Sequence, residues 1–504
     1  MPITILSGTE VRTISKASLR SLDRFLCSVP VILLTLLGFY VLMFQRYRAY
    51  EIDTPWFLSY SWNYKHSGVQ TDEFGGAHFP QGMDGTRLFG KVPADLQNLL
   101  LDRTGWMPFP ATMLSTVFTV ASLALWWFAL RKMGLSPRLI GIFILLLGLT
   151  EPVLAMAEKP RYEFWTFFLA SLGLLIGLSG FEFAALAVSF VAVEAEPMAL
   201  AAVLGVATVL FVRSPSRPRL LAKFVAAALC GAALYVAMHP HALHELLHTP
   251  PGRREFPIGT IFLEHFWERK RHLVDLVVLA VGVALYLRRG RAIPYPEIAW
   301  AAIVVMVALA LPPHMHVSYM VFLMPFLLLT ALLGYEHSRH LAWLPALLGV
   351  ALLAGYGYLA WKNRNEGYTV SDIQRVSAAL HEAESRFHYD KDKSRIVGDA
   401  SLWYAHPNNY FASNTTIHST PMGVRSLQMG DFYLCYPGKL QEGTLSVVGI
   451  ATCSMLQQNI PLTLVQSMQV GNHTLYLYGT FTERHGVMPA PVTGLLSRSS
   501  SSRI

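Results

Sequence analysis

Apolar runs long enough to cross a lipid bilayer recur through the first 360 residues of the chain. A hydrocarbon core about 30 Å thick takes roughly 20 apolar residues per helix, with about 17 at the short end. Apolar windows lie near residues 25–44, 110–130, 139–157, 164–180, 220–238, 273–287, 297–311, 319–335 and 341–360. The stretch 181–212, about 32 residues, is too long for one more span. As a single helix it would reach roughly 48 Å. Its middle carries Glu194, Glu196 and Pro197, and a carboxylate at the bilayer centre costs about 2.5–3.5 kcal/mol. Two shorter helices turning at "VEAEP" are therefore expected, which brings the count to about eleven spans.

Composition agrees with that reading. The chain is 53% hydrophobic and 14% charged, with a mean hydropathy of +0.39, too apolar for a soluble multidomain protein. Its formal charge of +8 is read as the bias of basic residues to the cytoplasmic side and not as a nucleic-acid footprint. Residues 1–24 carry Arg12, Lys16, Arg20 and Arg24 with no small-residue cleavage site after the first apolar run, so that run is expected to be a signal anchor with a cytoplasmic tail. "RKMGLSPR", "RSPSRPR", "RRGR" and "HSRH" then fall in cytoplasmic loops. Arg253, Arg254, Arg269, Lys270 and Arg271 fall on the other side, and fusing the two short helices would flip everything after them.

The expected fold is thus a polytopic α-helical membrane protein, residues 25–361, whose first outside loop is 46–109. A polar extracytoplasmic α/β domain follows at 362–484, and then a disordered tail at 485–504. In the α/β part "SDIQRVSAALHEAESRF" reads as a helix capped by Ser371, with Ile373, Val376, Leu380, Ala383 and Phe387 on one face. "SRIVGD", "DFYLCYP", "TLSVVGIA" and "LTLVQSMQVGNHTLYLYGTF" read as strands, the last a hairpin turning at Gly471 and Asn472. Cys435 and Cys453 share this part; a disulfide and two separate buried thiols are both open.

Polar residues cluster at the outside ends of the spans. Glu51 and Asp53 open the first loop, Glu158, Lys159, Arg161 and Glu163 form "AEKPRYEF", Glu194 and Glu196 sit in "VEAEP", and His314 and His316 in "LPPHMHVSY". "DTPW" is a helix start, with Asp53 or Thr54 as cap and Pro55 in the first turn. Asp53 is equally placed to be a general base, a carboxylate kept ionised by nearby cations such as Arg161.

"EIDTPWFLSYSWNYKHSG", "GWMPFPATMLSTVFTVASLALWWFALRKMGLSPR" and "EKPRYEFWTFFLASLGLLIG" resemble the GT-C superfamily of polyprenyl-phosphate-sugar glycosyltransferases, in particular bacterial homologues of protein O-mannosyltransferases and aminoarabinose transferases. The resemblance covers the layout of about the first 340 residues and is sharpest over residues 50–177. It implies transfer of a sugar from a polyprenyl-phosphate donor to an extracytoplasmic glycan, lipid or protein at the bacterial inner membrane. It makes Asp53 the catalytic base, with Glu51 as second candidate. Where the family's second loop often reads Arg-Pro-Glu, this chain has Lys159-Pro160-Arg161-Tyr162-Glu163, and where the family often has an arginine before its late span, this chain has His314 and His316. Those four basic positions are the candidates for the donor phosphate, with Glu158, Glu163, Glu194 and Glu196 as supporting acids.

Three other features of the sequence point elsewhere. "HELLH" matches the zinc-protease pattern, with His244 and His248 as ligands and Glu245 as base. Prolines at 240, 250 and 251 leave it about two turns, and no third ligand stands out beyond Glu264 or His265; an interfacial helix, or a divalent-metal or donor-headgroup role inside a glycosyltransferase, also fits. "GYGYLA" matches a dinucleotide fingerprint by letters only, inside an apolar run. A transporter or sensor would need intramembrane charges or an internal repeat, and the chain has few of the first and no visible sign of the second. No cofactor other than a divalent metal is expected.

Overall fold

Several of the described helices start at a capping serine or threonine or at a proline, and two of them stop at glycine, Gly105 and Gly134. A computed structural model describes residues 23–44, 53–68, 70, 89–240, 273–289, 294–311, 317–336, 338, 341–362, 364, 367–390, 394–398, 400–407, 411–413, 431–436, 453, 461–471 and 473–480. α1 (Val29–Phe44) and α2 (Asp53–Ser67) are followed by α3 (Lys91–Thr104) and α4 (Pro108–Met133). α4 has proline in its first turn and ends at Gly134, whose φ of 84° closes the helix in the left-handed conformation. α5 (Pro137–Leu149) starts on Ser136, whose hydroxyl accepts from the Leu139 amide.

The run read as one span at 139–157 is broken. α5 and α6 (Glu151–Glu158) meet at Thr150 with a bend of 61°. Thr150 has an extended backbone and Pro152 lies in the first turn of α6, where proline is tolerated, whereas inside a helix it removes a hydrogen bond and kinks or breaks the helix. α7 (Glu163–Leu178) and α8 (Glu182–Ala195) follow. The stretch 181–212 does divide: α8 stops at an extended Glu196, a 3-10 turn covers Pro197–Ala199, and α9 (Leu200–Arg213) resumes. The remaining helices are α10 (Arg217–Met238), α11 (Leu273–Leu287), α12 (Pro296–Ala310), α13 (Met320–Glu336) and α14 (Leu344–Lys362), the last containing the "GYGYLA" run.

Among the described residues α4, α10 and α14 are long and apolar enough to cross a membrane singly, and the bent pair α5–α6 would together make a fourth. α1, α7, α11, α12 and α13 are apolar but shorter. One apolar core joins these helices, with Trp126, Phe143, Phe164 and Phe322 buried in it. α11 and α13 come close enough that a side-chain carbon on Gly334 would stand 2.0 Å from the Gly282 carbonyl oxygen, the small-residue contact that lets membrane helices pack tightly. The outer faces stay apolar: Leu221, Val225 and Leu229 of α10 and Leu344, Leu347 and Val350 of α14 are exposed. Such a surface is satisfied by lipid.

After α14 come α15 (Val370–Arg386) and a five-stranded sheet in the order β2-β1-β3-β5-β4, with β1 at Ile396–Gly398, β2 at Phe411–Ser413, β3 at Phe432–Cys435, β4 at Thr463–Val470 and β5 at His473–Gly479. β1 runs parallel to both β2 and β3, whereas β3, β5 and β4 are antiparallel. The cap of α15 is Thr369 and not Ser371: Thr369 and Asp372 form a reciprocal capping box. Ile373, Val376, Leu380 and Ala383 are buried as the helical period requires. The strand expected at "TLSVVGIA" lies outside the described residues. Cys435 and Cys453 are joined by a disulfide.

This segment does not close its core alone. Its α15, β1, β3 and β5 side chains pack in the same cluster as Leu58 of α2, Leu101 of α3 and Ala111 of α4. Trp62, Trp106 and Trp403 meet at the junction, with ring centroids 4.8 to 6.4 Å apart and nearly perpendicular planes, a favoured aromatic arrangement.

Candidate active site

α2 begins at Asp53, with Pro55 in its first turn. The side chain of Asp53 and all of Glu51 lie outside the described residues. From Thr54 onward the helix is largely buried: Phe57, Leu58 and Ser61 pack inward. Ser61 Oγ donates to Gln97 Oε1 of α3 at 2.5 Å, and Gln97 Nε2 donates to the Pro160 carbonyl at 2.8 Å. Two helices of the first loop are thereby fastened to the "KPRYE" corner.

That corner is tightly organised. Arg161, 9% exposed, lies with its guanidinium 4.8 Å over the Phe57 ring, a cation–π contact. Its Nε and terminal nitrogen donate to Glu163 at 3.1 and 2.9 Å. Tyr162 packs edge-on against Phe57 at 5.7 Å and shares a hydrogen bond with Ser61 Oγ at 3.3 Å. Glu163, 1% exposed, also accepts from Ser318 Oγ at 2.8 Å. Lys159 and Glu158 are half-buried at the end of α6.

Glu194 reaches the same neighbourhood from α8. Its carboxylate accepts from the amides of Gly90, Lys91 and Val92 at 3.1, 2.7 and 3.4 Å and lies 2.9 Å from His239 Nε2. A carboxylate over the first amides of α3 satisfies donors no helix can satisfy for itself. Lys91 Nζ closes the other side by donating to the Met238 carbonyl. Gly90 is required here: its φ is 88°, and a side-chain carbon would stand 2.1 Å from the Tyr162 ring. Glu196 accepts from the Tyr319 hydroxyl at 3.3 Å.

The first loop, the 159–163 corner, the break at Glu196 and the 3-10 turn Val317–Tyr319 are therefore linked to one another by hydrogen bonds. His314 and His316, immediately before that turn, lie outside the described residues, as do His244, Glu245 and His248. Along α3, partial burial and the Glu194 carboxylate hold Asp95 above the usual carboxylate range, with Lys91 opposing. The hydrogen bond from Lys65, 2.5 Å away, holds Asp102 below it. The arrangement fixes a guanidinium at a buried corner beside the helix that starts at Asp53, and it leaves Arg161 oriented by Glu163.

Several of these residues carry no signal in the sequence by charge. Ser61, Gln97, Tyr162, Ser318 and Tyr319 are neutral and become partners only once distant loops meet. Gly90 and Pro93 in "FGKVPADL" are a local helix-start signal that would have found α3. An apolar cleft of about 460 Å³ lined by Leu186, Phe211, Phe224 and Trp300 lies toward the Arg213–Arg217 end of the bundle, away from this corner.

No family model matches the chain, and no curated protein matches it. Among solved structures it is similar to ArnT from Cupriavidus metallidurans bound to undecaprenyl phosphate, with a TM-score of 0.56 at 12% identity over 88% of this chain and 96% of that one. It is similar to ArnT in the apo state as well, with a TM-score of 0.55 at 11% identity over the same shares. An oligosaccharyltransferase from Archaeoglobus fulgidus, tethered with an acceptor peptide, gives a TM-score of 0.46 at 11% identity over 80% of this chain and 68% of that one. The likeness to ArnT is one of fold.

Proposed function

We propose that this protein is a bacterial inner-membrane glycosyltransferase that moves a sugar from a polyprenyl-phosphate donor to a hydroxyl on an extracytoplasmic glycan, lipid or protein. The observation that carries the reading is the placement of α2. Asp53 stands four residues before Phe57, hence on the same face of the helix, and Phe57 is the ring beneath Arg161. That register supports a reading in which Asp53 serves as base for the acceptor and Arg161 as cation for the donor. ArnT, whose fold the chain shares, has been crystallised bound to undecaprenyl phosphate, a lipid of the required donor class.

In this reading Asp53 takes the proton of the acceptor hydroxyl as its oxygen attacks the anomeric carbon. The bond from that carbon to the phosphate oxygen breaks, and the polyprenyl phosphate leaves with the bonding pair. Arg161, with Lys159 beside it, meets the phosphate by charge-assisted hydrogen bonds, whose strength rises in a site from which water is excluded. Glu163 and Ser318 set the orientation of Arg161. His314 and His316 are second candidates for the phosphate, and Glu51 for the base. The C-terminal α/β segment lies outside the cytoplasm and shapes acceptor choice. The Cys435–Cys453 disulfide supports that side, because such bonds persist in oxidising compartments.

The test is transfer from radiolabelled polyprenyl-phosphate sugars to candidate acceptors by the purified protein. Asp53→Asn keeps size and capping oxygen, and is expected to slow transfer by about 10²–10⁴ with donor binding kept. Arg161→Ala is expected to weaken donor binding. Normal turnover in Asp53→Asn with a dead Glu51→Gln would move the base by two residues. Activity in both would leave the two carboxylates as a helix start. Metal-dependent peptide cleavage without sugar transfer would favour the "HELLH" reading.

A further inference from the structure

A second cluster of ionisable side chains lies in the C-terminal segment and plays no part in the reaction above. His381 and Glu384 stand three residues apart on α15, which puts them on one face. His406 follows the 3-10 helix Ala400–Ala405 and faces them across the core. One ring nitrogen of each histidine and one carboxylate oxygen all lie within 4.8 Å of one another. The two imidazoles are nearly parallel, with centroids 5.1 Å apart and planes inclined by 19°.

The hydrogen bonds around the cluster orient it as a ligand set. The Ser377 carbonyl can only accept, so His381 Nδ1, 2.7 Å away, carries the proton and Nε2 keeps its lone pair. An imidazole fixed by a backbone carbonyl in this way is the usual outer support of a metal ligand. Glu384 Oε1 lies 2.9 Å from His406 Nε2 and accepts from the buried Ser394 hydroxyl. The other oxygen, Oε2, is buried and has no hydrogen-bond partner among the described residues, and the residue is only 2% exposed. A buried carboxylate oxygen without a donor is strongly unfavourable, and a cation removes the penalty.

We propose that His381, Glu384 and His406 form a binding site for one divalent transition-metal ion of the zinc type, which clips α15 to the turn after the 3-10 helix. Two imidazoles and one carboxylate select zinc, cobalt or nickel over magnesium or calcium. They leave a fourth position for water. Ligand atoms about 2.1 Å from a tetrahedral ion stand roughly 3.4 Å apart, so the widest separation, at most 4.8 Å, must close by up to about 1.4 Å. His381, the half-buried member, has the freedom to do this. The clip does not depend on the glycosyltransferase reading.

The experiment uses the full-length protein in detergent, stripped with a chelator and titrated with cobalt(II) and then zinc(II). One equivalent of cobalt should bind with a visible absorption band of imidazole–carboxylate coordination, and zinc should displace it. Zinc should also raise the melting midpoint. Glu384→Gln and His381→Gln, each checked for native helix content, should weaken binding beyond the roughly 10–100-fold that outer-shell partners account for. A His244→Ala, His248→Ala double variant should bind as the parent does. Absence of binding in the parent, or binding lost in that double variant and kept in the other two, overturns the proposal and leaves Glu384 and His406 as a buried hydrogen-bonded pair.

Discussion

Glu194 and Glu384 are both 2% exposed, and each carboxylate lies 2.9 Å from a histidine Nε2. Around Glu194 the remaining acceptor capacity is taken by three amides at the start of α3. Around Glu384, among the described residues, a single serine joins the histidine and one oxygen is left over. The same pair of side chains thus makes a closed clamp in one place and an open ligand set in the other. Burial and pairing alone do not tell a structural carboxylate from a binding one; the count of donors does.

Breaking the closed pair should have the largest effect. Glu194→Ala strands three amides and an imidazole, and should lower stability by about 3–5 kcal/mol, seen as a large drop in the melting midpoint with loss of transfer. Gly90→Ala attacks the same clamp without touching its charges. It forces a side chain against Tyr162 in a left-handed conformation and should cost roughly 2–4 kcal/mol in all. Glu384→Gln in metal-stripped protein should cost only about 1–1.5 kcal/mol, because one oxygen has nothing to lose. A loss as large as that of Glu194→Ala would erase the distinction.

Asp372 gives the finest test, as a third buried carboxylate with its donors in place. Burial pushes its pKa up, but the backbone and hydroxyl of Thr369, the Gly471 amide and Arg375 outweigh it and hold the group below its usual range. A depressed folded pKa means that the stability it contributes is present above the unfolded value of about 3.9 and is lost as the pH falls through the lower folded value. Melting midpoints should therefore hold from neutrality to about pH 4 and fall below it. Asp372→Asn should cost about 0.5–1 kcal/mol at neutral pH and flatten that acid fall.

The membrane class and the ArnT-like fold were legible because apolar runs and loop layout are local properties of the chain. The break at Glu196 was legible for the same reason, since two carboxylates and a proline interrupt an apolar run. The break at Thr150 was not, although Glu151 and Pro152 are the same kind of signal. A single charge is diluted when hydropathy is averaged over a span, and two helices at 61° read as one. The cap of α15 was placed two residues late because Thr369 and Ser371 are both good caps, and only the reciprocal bond to Asp372 decides between them. In the candidate site the charged corner 159–163 stood out against its apolar surroundings, whereas the neutral residues that orient it did not. "HELLH" drew attention because its spacing is local. His381, Glu384 and His406 did not, because their meeting depends on the fold.

The core shared between the C-terminal segment and the first loop also has a bearing on time. Leu58 is synthesised 345 residues before Trp403, yet both belong to one buried cluster. At about 5–20 residues per second the ribosome takes tens of seconds to cover that distance. For that interval Leu58, Trp62, Leu101 and Trp106 have been made and their partners have not. A chain stopped before residue 403 would leave these side chains uncovered, so a truncation at the far end should be felt first by quality-control factors that bind the opening loop.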